Sequence, residues 1–309
     1  MMKIAKKITL SLLIISLFVS CKNEEKNAEG SQKLKIVTTT SMITDLVKNI
    51  GGDHIEVQGL MGAGVDPHLY KASEGDVSKL YKADIIFYSG LHLEGKLVEV
   101  FEQMEATKTT IGLGEFLPKE QLIGSDYFAS NYDPHVWFNI EFFKKFAEKV
   151  TETLVEKDSK NAATYIENEK KYLQQLTQLE TEVKAKIETL PKEKRILVTA
   201  HDAFKYFGKS YDFNVVGLQG ISTATEAGVQ DVQRISQFII DNNVKAIFVE
   251  SSVPRRTIEA LQKSVESKGQ EVKIGGSLFS DALGNPGTDE GTYIGMFTYN
   301  VNTIVNELQ

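Results

Sequence analysis

The sequence predicts an α/β protein, built as two α/β lobes with parallel sheets joined by a single long helix. Three observations carry the prediction. Short β-branched or apolar runs alternate with amphipathic helical patterns. The alternation occurs in two sets, one ending near residue 158 and one beginning near 191. Between them runs one uninterrupted helical stretch, 159–190.

In the first set, strand-like runs stand at LKIVTTTS (34–41), IEVQGLM (55–61) and ADIIFYSG (83–90), with helical patterns at 42–50 and 74–83 between them. Strands that alternate with helices imply a parallel sheet with helices on its faces. The second set offers RILVTAH (195–201), FNVVGLQ (213–219), AIFVES (246–251) and VKIGGSLF (272–279), with helices expected at 229–243 and 254–269 and a terminal amphipathic helix at 290–308. In the connecting stretch, Ile166, Leu173, Leu176, Val183, Ile187 and Leu190 recur at spacings of three, four and seven. That spacing defines one apolar stripe on a helix roughly 45 Å long. A coiled-coil dimer would give the same pattern. One helix packed along both lobes is the preferred reading, and a helix in that place resists wide opening.

Residues 1–20 read as a targeting segment. Lys3, Lys6 and Lys7 form a basic start, and Ile8 to Val19 is an apolar run too short for a comfortable membrane span. Ser20 then precedes Cys21, the only cysteine, as in a bacterial lipoprotein signal with lipid carried on the Cys21 sulfur. Phe18 departs from the Leu that such signals prefer, and an ordinary signal peptide is the competing reading. Residues 21–33, polar and charged, read as a flexible tether. The expected organisation is therefore signal peptide 1–20, tether 21–33, N-terminal lobe 34–158, linking helix 159–190 and C-terminal lobe 191–309. The expected location is extracytoplasmic and membrane-anchored, in the periplasm or on the cell surface. With one cysteine no internal disulfide can form, so the core alone must hold the fold.

Formal net charge is −7, and loss of the three leading lysines lowers it to about −10. Nucleic-acid binding needs basic surface to displace counterions, so that class is excluded. An acidic surface suits a protein that handles a cation.

Five histidines are present: His54, His68, His92, His135 and His201. His68 lies in VDPHLY and His135 in YDPHVW, while His201 follows the strand-like ILVTA. Asp281 follows the strand-like VKIGGSLFS. Positions at or just after the C-terminal ends of strands are where open α/β sheets bind ligands. Two of these residues belong to each set, so a site made from all four lies between the lobes. Imidazole nitrogen and carboxylate oxygen suit borderline divalent ions, and four such donors satisfy zinc without water. In each Asp-Pro-His the proline fixes its own φ and biases the preceding residue to extended geometry, which stiffens the approach to the imidazole. His54 and His92 read as surface or loop residues with no metal role. Glu250 is a candidate to orient His201 from behind. Trp137, Phe138 and Phe204 adjoin ligands and either exclude water from them or simply fill the core. Asp202 reads equally as a helix N-cap.

The ordered motifs GLMGAGVDPHLYKAS, DPHVWF, VTAHDAFKYF, GLQGISTATEAG, IFVESSVP, GGSLFSDALG and GTYIGMFTYNVNTIV resemble the metal-binding receptors of zinc and manganese ABC transporters, the TroA-like members above all. The resemblance runs from about Leu34 to Leu308. It implies that the family's four ligands fall on His68, His135, His201 and Asp281, that two lobes meet across one long helix, and that the ion is cargo for a membrane permease. It also implies one Zn²⁺ or Mn²⁺ per chain and a monomer, in a family that includes proteins described as adhesins. Many zinc receptors carry a histidine-rich loop before the second ligand, and 120–133 here has no histidine. Many manganese receptors have Glu in the third ligand position, and here it is His201. Zinc is favoured on nitrogen-rich ligation, with manganese next.

A zinc-dependent hydrolase and a surface adhesin with a structural metal are the competing functions. Hydrolysis needs an open coordination position and a base, and four protein donors leave no such position. The expectation is therefore a protein that is not an enzyme. No P-loop motif is present.

Overall fold

The structure is a computed structural model that describes residues 33–125 and 128–309. The proposed signal, Cys21 and the tether up to residue 32 lie outside the described residues. Among those described, no helix is long and apolar enough to cross a membrane.

The first lobe is a four-stranded parallel sheet of β1 (Leu34–Thr38), β2 (Ile55–Gly59), β3 (Ile85–Tyr88) and β4 (Thr109–Gly112), in the order β2-β1-β3-β4. Around it pack α1 (Ser41–Gly51), α2 (Glu74–Lys82) and α3 (Val98–Glu105). β1 and β3 are buried because helices cover them, and they read as continuous apolar runs rather than alternating ones. β4 and α3 were not expected. β4 is a four-residue edge strand, TTIG, with one buried residue, so its pattern carries little signal. α2 starts where the sequence allows it, in a capping box where Ser73 Oγ accepts from the Asp76 N–H and Asp76 accepts from the Ser73 N–H.

α4 (Ile140–Lys157) closes the first lobe, capped by the Asn139 side chain, which accepts from the Glu141 and Phe142 N–H groups. The expected connector follows as a short 3₁₀ turn at Ser159–Asn161 and then α5 (Ala162–Glu188), whose 27 residues span about 40 Å. Its buried stripe differs from the expected one. Tyr165, Tyr172, Leu176, Leu179, Val183 and Ile187 face inward, whereas Ile166 is 53% exposed. Tyrosine can occupy a core face when its hydroxyl finds a partner, and Tyr165 donates to Asp158 Oδ2 at 2.6 Å. That choice turns the first part of the helix so that Ile166 points outward. α5 packs on α1 and α4 of the first lobe and on the final helix, α9 (Tyr293–Leu308), of the second.

The second lobe holds two parallel strand pairs. β5 (Ile196–Thr199) pairs with β6 (Asn214–Gly217), and β7 (Ala246–Glu250) pairs with β8 (Lys273–Leu278) across a bulge at Ile247/Phe248. β5 and β7 run side by side, and α6 (Lys205–Tyr211), α7 (Val229–Asp241) and α8 (Arg256–Glu266) complete the layer. Asp202 does not cap α6: Phe204 stands at the cap position, and Asp202 pairs with Lys205 Nζ at 2.6 Å. Gly217 is required at the end of β6, because a Cβ there would stand 2.6 Å from the Asp202 N as that segment crosses over it.

A continuous apolar core runs from Ile36 and Leu46 in the first lobe through α5 to Phe204 and Phe297 in the second. Aromatic pairs stitch the lobes together: Phe138 against Phe204 at 4.4 Å, and Phe143 stacked on Tyr293 at 3.7 Å. Trp137 Nε1 donates to the Ser280 carbonyl at 3.0 Å, and the Tyr293 hydroxyl donates to the Trp137 carbonyl at 2.6 Å. Deep in the cleft, therefore, the lobes share one close-packed interior, which deforms little.

Candidate metal centre

Each of the four sequence candidates reaches the cleft from its own loop. His201 and Asp281 stand two and three residues beyond the ends of β5 and β8, as expected of strand-end residues. His68 and His135 do not. His68 lies well past the end of β2 in the irregular segment 60–73, and His135 sits immediately before the 3₁₀ turn Val136–Phe138 that leads into α4. Both are delivered by long loops above the sheet, and the Asp-Pro-His motif supplies the order that a strand end supplies elsewhere. In each motif the aspartate carboxylate accepts the backbone N–H of its own histidine, Asp66 from His68 and Asp133 from His135, both at 2.9 Å.

The four residues converge. One donor atom from each of His68, His135, His201 and Asp281 lies within 4.8 Å of all the others, and all four residues are buried. His68 Nε2 is 3.3 Å from His135 Nε2, His201 Nε2 is 3.3 Å from Asp281 Oδ2, and His135 Nε2 is 3.6 Å from Asp281 Oδ1. A tetrahedron with a metal–nitrogen distance of 2.0–2.1 Å has edges of about 3.3–3.4 Å, so these separations suit a single zinc-sized ion at the centre. His201 Nε2 and Asp281 Oδ1 are buried without a hydrogen-bond partner. Buried polar atoms are normally satisfied, and a shared cation would satisfy both.

Two histidines are oriented from behind by carboxylates. Asp133 Oδ1 is 2.7 Å from His135 Nδ1 and is the same oxygen that holds the His135 backbone N–H. Glu250, at the end of β7, accepts the His201 backbone N–H through Oε1 at 2.7 Å, and its Oε2 lies 2.5 Å from His201 Nδ1, outside good hydrogen-bonding geometry. A carboxylate at Nδ1 favours the tautomer that leaves the Nε2 lone pair free for a metal. Glu250 had a sequence cue. Asp133 did not stand out, although it is part of the same motif, because Asp-Pro-His draws attention to its histidine.

The charges are mutually arranged. Burial opposes a proton on His201, but the Asp281 and Glu250 carboxylates outweigh it and hold the imidazole well above its usual range. Burial raises the Asp281 carboxyl, and the histidines around it, His201 foremost, draw it below the usual carboxylate range. For His68 burial wins, and its imidazole falls to about 3. In the metal-free site these surroundings favour a proton on His201 and oppose one on His68.

The neighbouring aromatics are all buried: Trp137 lies edge-on to His135 at 5.3 Å, with Phe138 and Phe204 behind it. All three belong to the continuous core. His54 and His92 stay outside the cluster. The His54 ring rests on Tyr165, and His92 sits at φ 63° in a turn ordered by Glu94, whose carboxylate accepts from the Ser89 and Gly90 N–H groups.

Fold and site together define a two-lobed α/β binding protein with a buried cluster able to hold one metal ion between its lobes. Residues 36–307 match the family model described as zinc-uptake complex component A, periplasmic (ZnuA), and the chain belongs to that family. It is 45% identical over 283 residues to the zinc-binding protein TroA of Treponema pallidum, covering 92% of this chain and 91% of the relative. It is 43% identical over 289 residues to the manganese-binding lipoprotein MntA of Bacillus subtilis, covering 94% of each. Among solved structures, that of the periplasmic zinc-binding protein TroA from T. pallidum superposes with a TM-score of 0.87 at 45% identity, covering 89% of this chain and 99% of that one. A Mn-bound mutant of a periplasmic metal-binding protein from Candidatus Liberibacter asiaticus superposes with a TM-score of 0.78 at 26% identity, covering 89% of this chain and 100% of that one.

Proposed function

We propose that this protein is the extracytoplasmic receptor of a metal ABC transporter. It captures one Zn²⁺, or next in preference Mn²⁺, and delivers it to a membrane permease. His68, His135, His201 and Asp281 are the ligands, and Asp133 and Glu250 orient two of the imidazoles. The carrying observation is the buried convergence of three imidazoles and one carboxylate from both lobes, with the buried His201 Nε2 and Asp281 Oδ1 left without hydrogen-bond partners. Four protein donors complete a zinc shell and leave no position for an activated water, so the arrangement suits holding and handing over an ion rather than chemistry on it. The spacing near 3.3 Å and the nitrogen-rich set support zinc over manganese, which prefers more oxygen ligands and a larger coordination number.

The chain works as a monomer held to the membrane through lipid on Cys21, a reading supported by the sequence around that residue and by the lipoprotein relatives. Residues 34–158 and 191–309 serve as the lobes and 159–190 as the link.

Metal-stripped protein is expected to take up one Zn²⁺ with a rise in melting temperature, since a ligand that binds only the folded state stabilises it. His68→Ala and His201→Ala should largely abolish that rise. Variants that bind as tightly as the parent would overturn the ligand assignment.

A further inference from the structure

The four ligands are not held alike. His135 and His201 each have a buried carboxylate of their own lobe at Nδ1, Asp133 and Glu250 respectively. Asp281 stands three residues past β8, its Oδ2 3.3 Å from the Ser252 hydroxyl of the same lobe. His68 sits in the irregular segment 60–73, and among the described residues no carboxylate stands at its ring Nδ1. What holds it is its backbone N–H, donated to Asp66 Oδ1 at 2.9 Å.

The other oxygen of Asp66 is held from across the cleft. The Thr223 hydroxyl, in the loop between β6 and α7 of the second lobe, donates to Asp66 Oδ2 at 2.5 Å. Among the described residues this is the one hydrogen bond from segment 60–73 to the second lobe. The segment touches that lobe again at Gly64, where a Cβ would stand 3.5 Å from the Ser251 carbonyl. The deep side of the cleft is locked by Trp137, Phe143, Tyr206 and Tyr293, so relative movement is concentrated on the side where Asp66 and Thr223 meet.

We propose that Asp66 and Thr223 form a latch that positions His68, so that the rate of ion release is set by a hydrogen bond between lobes that touches neither ion nor ligand side chain. Asp66 couples the two events. When Thr223 lets go, the carboxylate that fixes the His68 main chain loses its restraint, and His68 is the first ligand to leave. His135, His201 and Asp281 keep their own-lobe supports throughout. Thr223 and Asp66 are positioning residues here. The inference rests on the ligand assignment proposed above.

The test uses the mature chain with Zn²⁺ as the probe, and measures the dissociation rate by transfer to a chromogenic chelator in stopped flow. Thr223→Val keeps the side-chain shape and removes the hydroxyl. Thr223→Ser keeps the hydroxyl. Loss of a hydrogen bond to a charged acceptor corresponds to about a tenfold change or more, so Thr223→Val is expected to release zinc at least about tenfold faster. Thr223→Ser should stay near the parent in both rate and metal-free melting temperature, and Thr223→Val should lose less metal-free stability than its change in rate corresponds to. A parental rate in Thr223→Val, or equal acceleration in Thr223→Ser, overturns the latch and leaves the ion-binding reading intact. A fall in metal-free stability matching the change in rate also overturns it, since the role is then merely structural. A parent chain that takes up no zinc overturns both.

Discussion

Replacing Glu250 with Gln tests the site at a residue that would not touch the ion. The side chain is buried at the end of β7 and meets His201 twice, through Oε1 to the backbone N–H at 2.7 Å and through Oε2 at 2.5 Å from Nδ1. Glutamine keeps the volume and can keep the first contact. With its amide oxygen on the backbone N–H, its NH₂ group then faces Nδ1. That leaves two donors opposed unless the imidazole moves its proton to Nε2, the atom that must ligate. Either result weakens the ligand. Loss of a carboxylate behind a ligating histidine lowers affinity by about 10–100-fold, which is about 1.4–2.7 kcal/mol. Chelator competition should therefore give a dissociation constant raised by one to two decades with the stoichiometry still one. The stabilisation by a fixed excess of metal should fall by the same free energy. Glu259→Gln, an exposed partner of Arg255 on α8, is the matched control and should leave affinity unchanged. Parental affinity in Glu250→Gln would refute the view that this carboxylate tunes His201.

Asp133→Asn should weaken metal binding by about tenfold or more in the same titration, because one oxygen serves both the His135 ring and its backbone. His54→Ala and His92→Ala should bind like the parent, since both rings lie outside the cluster. Acid should destabilise the metal-free protein through His68. Unfolded, it takes a proton near 6.5; folded, burial delays this to about 3, so the contribution is complete above pH 6.5 and is lost as pH falls toward 3. At pH 5 that loss is about 2 kcal/mol, and urea unfolding should show the stability gap between the parent and His68→Gln shrinking by that amount between pH 7 and 5. On α5, Leu179→Ala should cost about 2–5 kcal/mol, whereas Ile166→Ala should stay within about 0.5 kcal/mol, because Leu179 is buried and Ile166 is 53% exposed.

The α/β class, the two sets of strands and the long connector were legible in the sequence because each rests on local periodicity. A buried parallel strand is an apolar run wherever it occurs, and a helix repeats its face every 3.6 residues. β4 was not legible, since four edge residues carry no such signal, and the inward turn of Tyr165 depended on an acceptor for its hydroxyl, Asp158, whose position folding sets. The four candidates were legible for a chemical reason: two Asp-Pro-His motifs, a third histidine and an aspartate just past strand-like runs stand out in a chain with five histidines. What those motifs do was not. Their aspartates hold the backbone of the histidine two residues on, and then diverge. Asp133 reaches the ring of His135, while Asp66 reaches Thr223, 157 residues away. Local sequence determines which side chains can bind an ion. Only the tertiary structure decides that the four meet within 4.8 Å in a buried cleft, and that the aspartate behind one of them, Asp66, is bonded from the opposite lobe. Donor chemistry belongs to each residue alone, whereas distance, burial and support depend on how two lobes close on one core.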